Sequence, residues 1–194
     1  KNKNVYGTSG PRILLWFDLV NSPEGPVPMG SDITMSQNPR FVIKAAGSFK
    51  QNQGCSDESI DSLSSDRLEY LCAGECYNPS NEREVIEKIE IIKITPQIYA
   101  GEAVSPLIQD PWKSIPCQGS GECIVEFEDQ NFSRDSVYYV RAIQNPTPAI
   151  NGSTLSKRDN FQLCKGSFRT NLKDDCLSMA NERAWSSPIY VNKP

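Results

Sequence analysis

Seven cysteines and not one histidine set the chemistry open to this 194-residue chain. Imidazole is the side chain that titrates near neutral pH and the commonest metal ligand. A sequence without it holds no Ser-His-Asp triad, no Cys-His pair and no histidine-ligated zinc or iron. Carboxylate-pair glycosidases, Ser-Lys systems and all-oxygen calcium sites need only residue types that are plentiful here, and abundance alone singles out no pair. The acids Asp57, Glu58, Asp61 and Asp66 lack the fixed ligand spacing and glycine of a calcium loop, so they are expected in a solvated segment.

The cysteines are Cys55, Cys72, Cys76, Cys117, Cys123, Cys164 and Cys176. Structural zinc sites present close knuckles in pairs, and only Cys72-x-x-x-Cys76 qualifies, without a matching second one. Disulfides therefore fit better. Cys117 and Cys123 bracket Gln-Gly-Ser-Gly-Glu, and Cys164 and Cys176 bracket a polar Gly/Asn/Asp-rich stretch. Each pair is expected to staple a loop. Two of Cys55, Cys72 and Cys76 supply one more bridge and leave a spare thiol, with the pairing open. An oxidising compartment, periplasmic or secreted, follows from this usage.

Arg12 stands near Thr8 and Ser9 around the Gly10-Pro11 turn. An arginine beside small hydroxyls can clamp a phosphate or carboxylate, or pair across a domain seam, while Thr8 and Ser9 can equally satisfy turn backbone. Trp112 and Trp185 are candidates for interface or carbohydrate stacking, with core packing the commoner fate of tryptophan. Asn131-Phe132-Ser133 and Asn151-Gly152-Ser153 match the glycosylation pattern, and Asn151-Gly152 is also a tight-turn signal.

The elements that must position these residues read as short strands. Arg12–Leu19 puts Ile13, Leu15, Phe17 and Leu19 on one face, and Phe41–Phe49 alternates in the same way. Residues 21–40, with Pro23, Pro26, Pro28 and Pro39, suit a surface connection. A short helix is expected with Asp66 as N-cap, Glu69 three residues on and Gly74 past its end, burying Leu68, Leu71 and Cys72. Lys88–Thr95 favours a strand through its β-branched residues, although a helix from Glu82 is the alternative. Cys123–Glu128, with Cys123, Val125 and Phe127 inward, Ser136–Gln144, and Ala184–Val191 complete six strands. The fold class is mostly β: an antiparallel, immunoglobulin-like β-sandwich with long Pro/Gly-rich loops, one or two short helices and disulfide staples. Asp135-Ser-Val-Tyr-Tyr-Val-Arg-Ala fits the corner of such sandwiches, where a tyrosine hydroxyl ties back to nearby backbone.

Hydrophobic residues at 38% and charged residues at 23% are an ordinary globular balance, and a net charge of -4 without a basic cluster argues against nucleic acid. The longest apolar run, Ile13 to Phe17, is far short of the roughly 20 residues that span a bilayer. The first residue is Lys1 and no signal-type segment follows, which is expected of a processed product or a fragment.

The segment Lys3-Asn4-Val5-Tyr6-Gly7-Thr8-Ser9-Gly10-Pro11-Arg12-Ile13 resembles the junction after the metal-binding barrel in a large bacterial family. That family is related to the PHP superfamily of metal-dependent hydrolases, and its biochemical role is largely unassigned. The resemblance continues through Leu71-Cys72-Ala73-Gly74-Glu75-Cys76-Tyr77-Asn78-Pro79, Asp110-Pro111-Trp112, Tyr138-Tyr139-Val140-Arg141-Ala142 with Pro146-Thr147-Pro148-Ala149, and Arg183-Ala184-Trp185-Ser186-Ser187-Pro188-Ile189-Tyr190-Val191. It implies that residues 1–11 are the junction to an N-terminal barrel of the same precursor and that 12–194 form a single β-sandwich domain. The barrel's His, Asp and Glu residues would hold divalent metals and hydrolyse an ester, with a phosphoester expected. No position here matches those ligands, so this chain is expected to carry no catalytic residue, metal or cofactor of its own. Thr8, Ser9 and Arg12 are its candidate substrate or domain-seam contacts. The alternative is a self-standing extracellular module that binds a glycan or self-associates through strand edges.

Overall fold

The structure, a computed structural model, describes residues 3–72, 76–150 and 177–194. Among them run β1 (Tyr6–Thr8), β2 (Leu14–Leu19), β3 (Val27–Pro28), β4 (Asp32–Thr34), β5 (Arg40–Ala46) and β6 (Phe49–Gln53). Two helices follow, α1 (Asp57–Ser62) and α2 (Ser65–Cys72). Then come β7 (Tyr77–Arg83), β8 (Ile86–Ile94), a 3-10 turn at Ser105–Leu107, β9 (Ile108–Pro116), β10 (Glu122–Glu128), β11 (Ser136–Ile150), β12 (Leu177–Ser186) and β13 (Ile189–Asn192). The chain divides into two compact units, one within residues 1–48, 84–145 and 182–194, the other within 49–83 and 146–181.

The first unit is a β-sandwich. Its smaller sheet has the order β10-β5-β2-β3, and its larger sheet carries β1-β12-β11-β13-β4, with β8 on the other side of β11 and β9 beyond it. Pairing is antiparallel throughout the registers described except between β4 and β13, which run parallel. The core lies between the sheets because side chains alternate faces along each strand. Ile13, Leu15, Phe17 and Leu19 meet Phe41, Ile43, Cys123, Val125 and Phe127 on the smaller sheet, and Ile89, Ile91, Tyr138, Val140, Ile189 and Val191 face them from the larger. Each such aliphatic or aromatic side chain contributes roughly 1.5–3 kcal/mol on burial. Phe41 anchors the aromatic part, stacked on Phe17 at 5.3 Å and on Phe127 at 4.8 Å.

Several expectations change at this level. Residues 21–40 contain the short strands β3 and β4, because Met29 and Met35 turn into the core and Met29 N–H donates to the Phe17 carbonyl at 2.7 Å. The strand expected to run to Phe49 breaks at Gly47, where a side-chain carbon would lie 1.9 Å from the Glu84 carbonyl oxygen. The last strand is two, β12 and β13. Strand β9, unforeseen, contains Pro111, which argues against a central strand. Among the described residues it pairs only with β8, so it is an edge strand, where a missing N–H costs no ladder bond. Tyr138 bonds not to nearby backbone but to a carboxylate.

The second unit holds the hairpin sheet β6-β7 with α1 and α2. The helix expected from Asp66 starts at Ser65, with Ser64 supplying the first acceptor to Leu68 N–H at 3.0 Å, and the acidic stretch before it forms α1. Neither helix buries a side chain fully: Leu68 is half-buried and Leu71 exposed. Gly74 lies outside the described residues.

Candidate functional site

Two inward positions of the sandwich are charged rather than apolar. Along β8 the inward parity runs Ile89, Ile91, Lys93, and along β10 it runs Cys123, Val125, Phe127 and then Asp129 just past the strand end. Lys93 is 8% exposed and Asp129 fully buried. The Lys93 ammonium donates to Asp129 Oδ2, and Tyr138, the register partner of Lys93 on β11, donates its hydroxyl to the same oxygen at 2.5 Å. Asp129 Oδ1 accepts Asn131 N–H at 3.0 Å. The indole of Trp112 on β9 closes the group, 5.2 Å from Lys93 Nζ and 6.2 Å from the Tyr138 ring.

Burial alone would raise the Asp129 pKa, but the hydrogen bonds from Lys93, Tyr138 and Asn131 outweigh it and hold the carboxyl below its ordinary value. Burial first, and then the bond to Asp129, push the Tyr138 phenol far above its usual range. The pair is therefore an ion pair with a neutral phenol hydrogen-bonded to its carboxylate.

A cleft of about 420 Å³ opens over this group, bordered also by Thr95, Gln109, Ser133, Arg134 and Ser136. Arg134 grips Glu102 through two bonds of 2.8 and 3.1 Å, and Glu102 also accepts Ile98 N–H at 3.0 Å. The Arg134 bonds and then the Ile98 bond lower the Glu102 pKa. Both cations lining the cleft are thus committed to carboxylates. What the cleft presents besides these ion pairs is hydroxyl and amide groups beside an indole.

Lys93 and Asp129 were not among the residues singled out from sequence. The signal that could have found them is parity, a charge at the next inward step of an apolar alternation. Trp112 is partly buried against the core, and Trp185 is half-buried on β12. Of the candidates near the N-terminus, Thr8 pairs with Ala184 in the sheet. Ser9 is held by Glu182 and by Arg183, whose N–H donates to Ser9 Oγ at 2.9 Å. Arg12 is exposed and has no ion pair among the described residues. Asn131 and Ser133 border the cleft. The second sequon lies outside the described residues.

Disulfides join Cys117 to Cys123 and Cys72 to Cys76, while Cys55 has no disulfide partner among the described residues. Cys164 and Cys176 lie outside the described residues. No helix among the described residues is long and apolar enough to cross a membrane.

Fold and site together define a disulfide-stapled antiparallel β-sandwich with a polar cleft at a buried ion pair. Residues 114–193 match the family model described as a protein of unknown function (DUF3604). Asp129, Arg134 and Tyr138 fall within that match, and Lys93 and Trp112 outside it. No curated protein matches the chain, and no solved structure matches it.

Proposed function

We propose that this chain is a non-catalytic β-sandwich module that accompanies a metal-dependent hydrolase barrel of PHP type, a phosphoesterase by class, in the periplasm or outside the cell. The observation that carries this reading is a row across the outer face of the smaller sheet. Ile124, Lys44 and Trp16 are register partners on β10, β5 and β2, with Ile124 67% and Trp16 48% exposed. An antiparallel sheet facing water keeps that face polar, whereas an apolar pair rimmed by Asp18 and Glu126 is the make-up of an interface. Arg12, exposed at the same end of the chain as the family-like junction, is free to reach across such a seam to an anion.

Hydrogen exchange on the protein from its native source, together with its intact mass, tests the reading. A chain with an upstream histidine-rich barrel is expected, with amides around Trp16 and Ile124 slower to exchange than in the isolated 194 residues. A native product that starts at Lys1, or equal exchange in the two forms, overturns it.

The cleft favours a second reading, glycan binding by a self-standing extracellular module. Thr95, Gln109, Asn131, Ser133 and Ser136 provide neutral donors and acceptors beside Trp112. Calorimetric titration with neutral oligosaccharides checks it: binding that Gln109→Ala weakens supports it, and no heat with any sugar rejects it.

A further inference from the structure

The hairpin of the second unit places three sulfurs together. Gln53 on β6 stands opposite Tyr77 on β7, and one step further Gly54 N–H donates to the Cys76 carbonyl at 2.8 Å. Asn78 Nδ2 donates to the Gly54 carbonyl at 3.0 Å and locks the same rung. Cys55, the next residue, is thereby held beside Cys76. Cys72 ends α2 and is bonded to Cys76. The Sγ atoms of Cys55, Cys72 and Cys76 all lie within 4.8 Å of one another, and all three residues are half-buried. A disulfide uses two of these sulfurs, and the third, unbridged among the described residues, is positioned against it.

We propose that Cys55, Cys72 and Cys76 form a thiol–disulfide exchange site in which the Cys55 thiolate attacks one sulfur of the Cys72–Cys76 bond. Cys55 first gives its proton to water. Its sulfur then forms a new S–S bond to Cys72, the Cys72–Cys76 bond breaks, and Cys76 leaves as a thiolate that takes up a proton from water. Attack at Cys76 releases Cys72 in the same way. One S–S bond forms and one breaks, so no external oxidant or reductant is consumed. The backbone rung at Gly54 replaces the chance encounter that such exchange otherwise requires with a standing one. The bridge therefore migrates among three pairings within one hairpin, which a solitary disulfide cannot do.

Maleimide trapping on the full chain tests this. The protein is incubated without reductant at mildly alkaline pH, where thiolate is the attacking species, then labelled, quenched in acid and digested unreduced for mass spectrometry. The expected result is label shared between Cys55 and at least one of Cys72 and Cys76, with matching peptides joined through Cys55. Cys55→Ser is expected to abolish label at Cys72 and Cys76. Cys76→Ser, in a thiol redox buffer, is expected to form a Cys55–Cys72 bond. Label confined to Cys55 at every incubation time, with Cys72–Cys76 intact, overturns the proposal, and the wild-type experiment alone decides it if a variant does not fold.

Discussion

The hydroxyl of Tyr138 donates to Asp129 Oδ2 at 2.5 Å, tying the larger sheet of the sandwich to the end of β10 in the smaller one through the oxygen that also holds Lys93. Its partners make the carboxylate tolerable in the core, since an unpaired buried charge costs several kcal/mol. The group behaves as a polar rivet through an otherwise apolar layer.

Removing the centre of that rivet should be costly. Asp129→Ala leaves Lys93 buried without its counter-charge and is expected to lower unfolding free energy by about 3–5 kcal/mol in denaturant titration. Replacing the whole group, Asp129→Leu with Lys93→Met and Tyr138→Phe, is expected to recover most of that loss, because no polar group is then left unpaired. Equal loss in the two variants would show that packing rather than charge sets the effect.

Two limbs of pH dependence follow. The Asp129 pKa is lowered on folding, so its stabilisation is present above the unfolded value near 3.8 and is lost as pH falls through the lower folded value. The Tyr138 pKa is raised, so its contribution is whole below 10.0 and fades as pH rises above that point, where the unfolded chain alone can ionise. Asp18, raised mainly by burial against the opposing pull of Lys44, works against the acid limb. Thermal melts across pH should show Tm falling at both ends, with Asp129→Asn flattening the acid end and Tyr138→Phe the alkaline end.

Gly47→Ala should destabilise the first unit, since the added carbon would meet the Glu84 carbonyl at 1.9 Å. Backbone must move to admit it, and a loss of about 1–3 kcal/mol is expected in chemical denaturation. Gly7→Ala, where nothing lies within 4 Å of the added carbon, serves as the control.

Cys117→Ala with Cys123→Ala opens a loop whose cysteines are 6 residues apart. The entropy of so short a loop is worth ~2 kcal/mol. Cys123 is 7% exposed within the core, so the double variant should lose somewhat more than that in the same titration.

Arg12→Ala is expected to change stability by less than about 0.5 kcal/mol, as befits an exposed side chain without an ion pair among the described residues. Under the module reading, it should weaken association with the barrel while leaving the melt of the isolated chain unchanged.

Much of the sandwich was legible because a strand writes its buried face into every second residue. Ile13 to Leu19 and Cys123 to Phe127 face the core as that alternation requires. The mostly β class, the absence of imidazole chemistry and the suitability of the cysteines for disulfides needed the sequence alone, since they depend on residue types and near-neighbour spacing. Three things were decided only in three dimensions. Lys93 and Asp129 are 36 residues apart and become a pair because two strands of opposite sheets end at the same place. Pro111 reads as a strand breaker until β9 is seen at a sheet edge. Cys55 comes to lie beside the Cys72–Cys76 bridge with the rung between Gly54 and Cys76, a long-range backbone bond that no local pattern encodes.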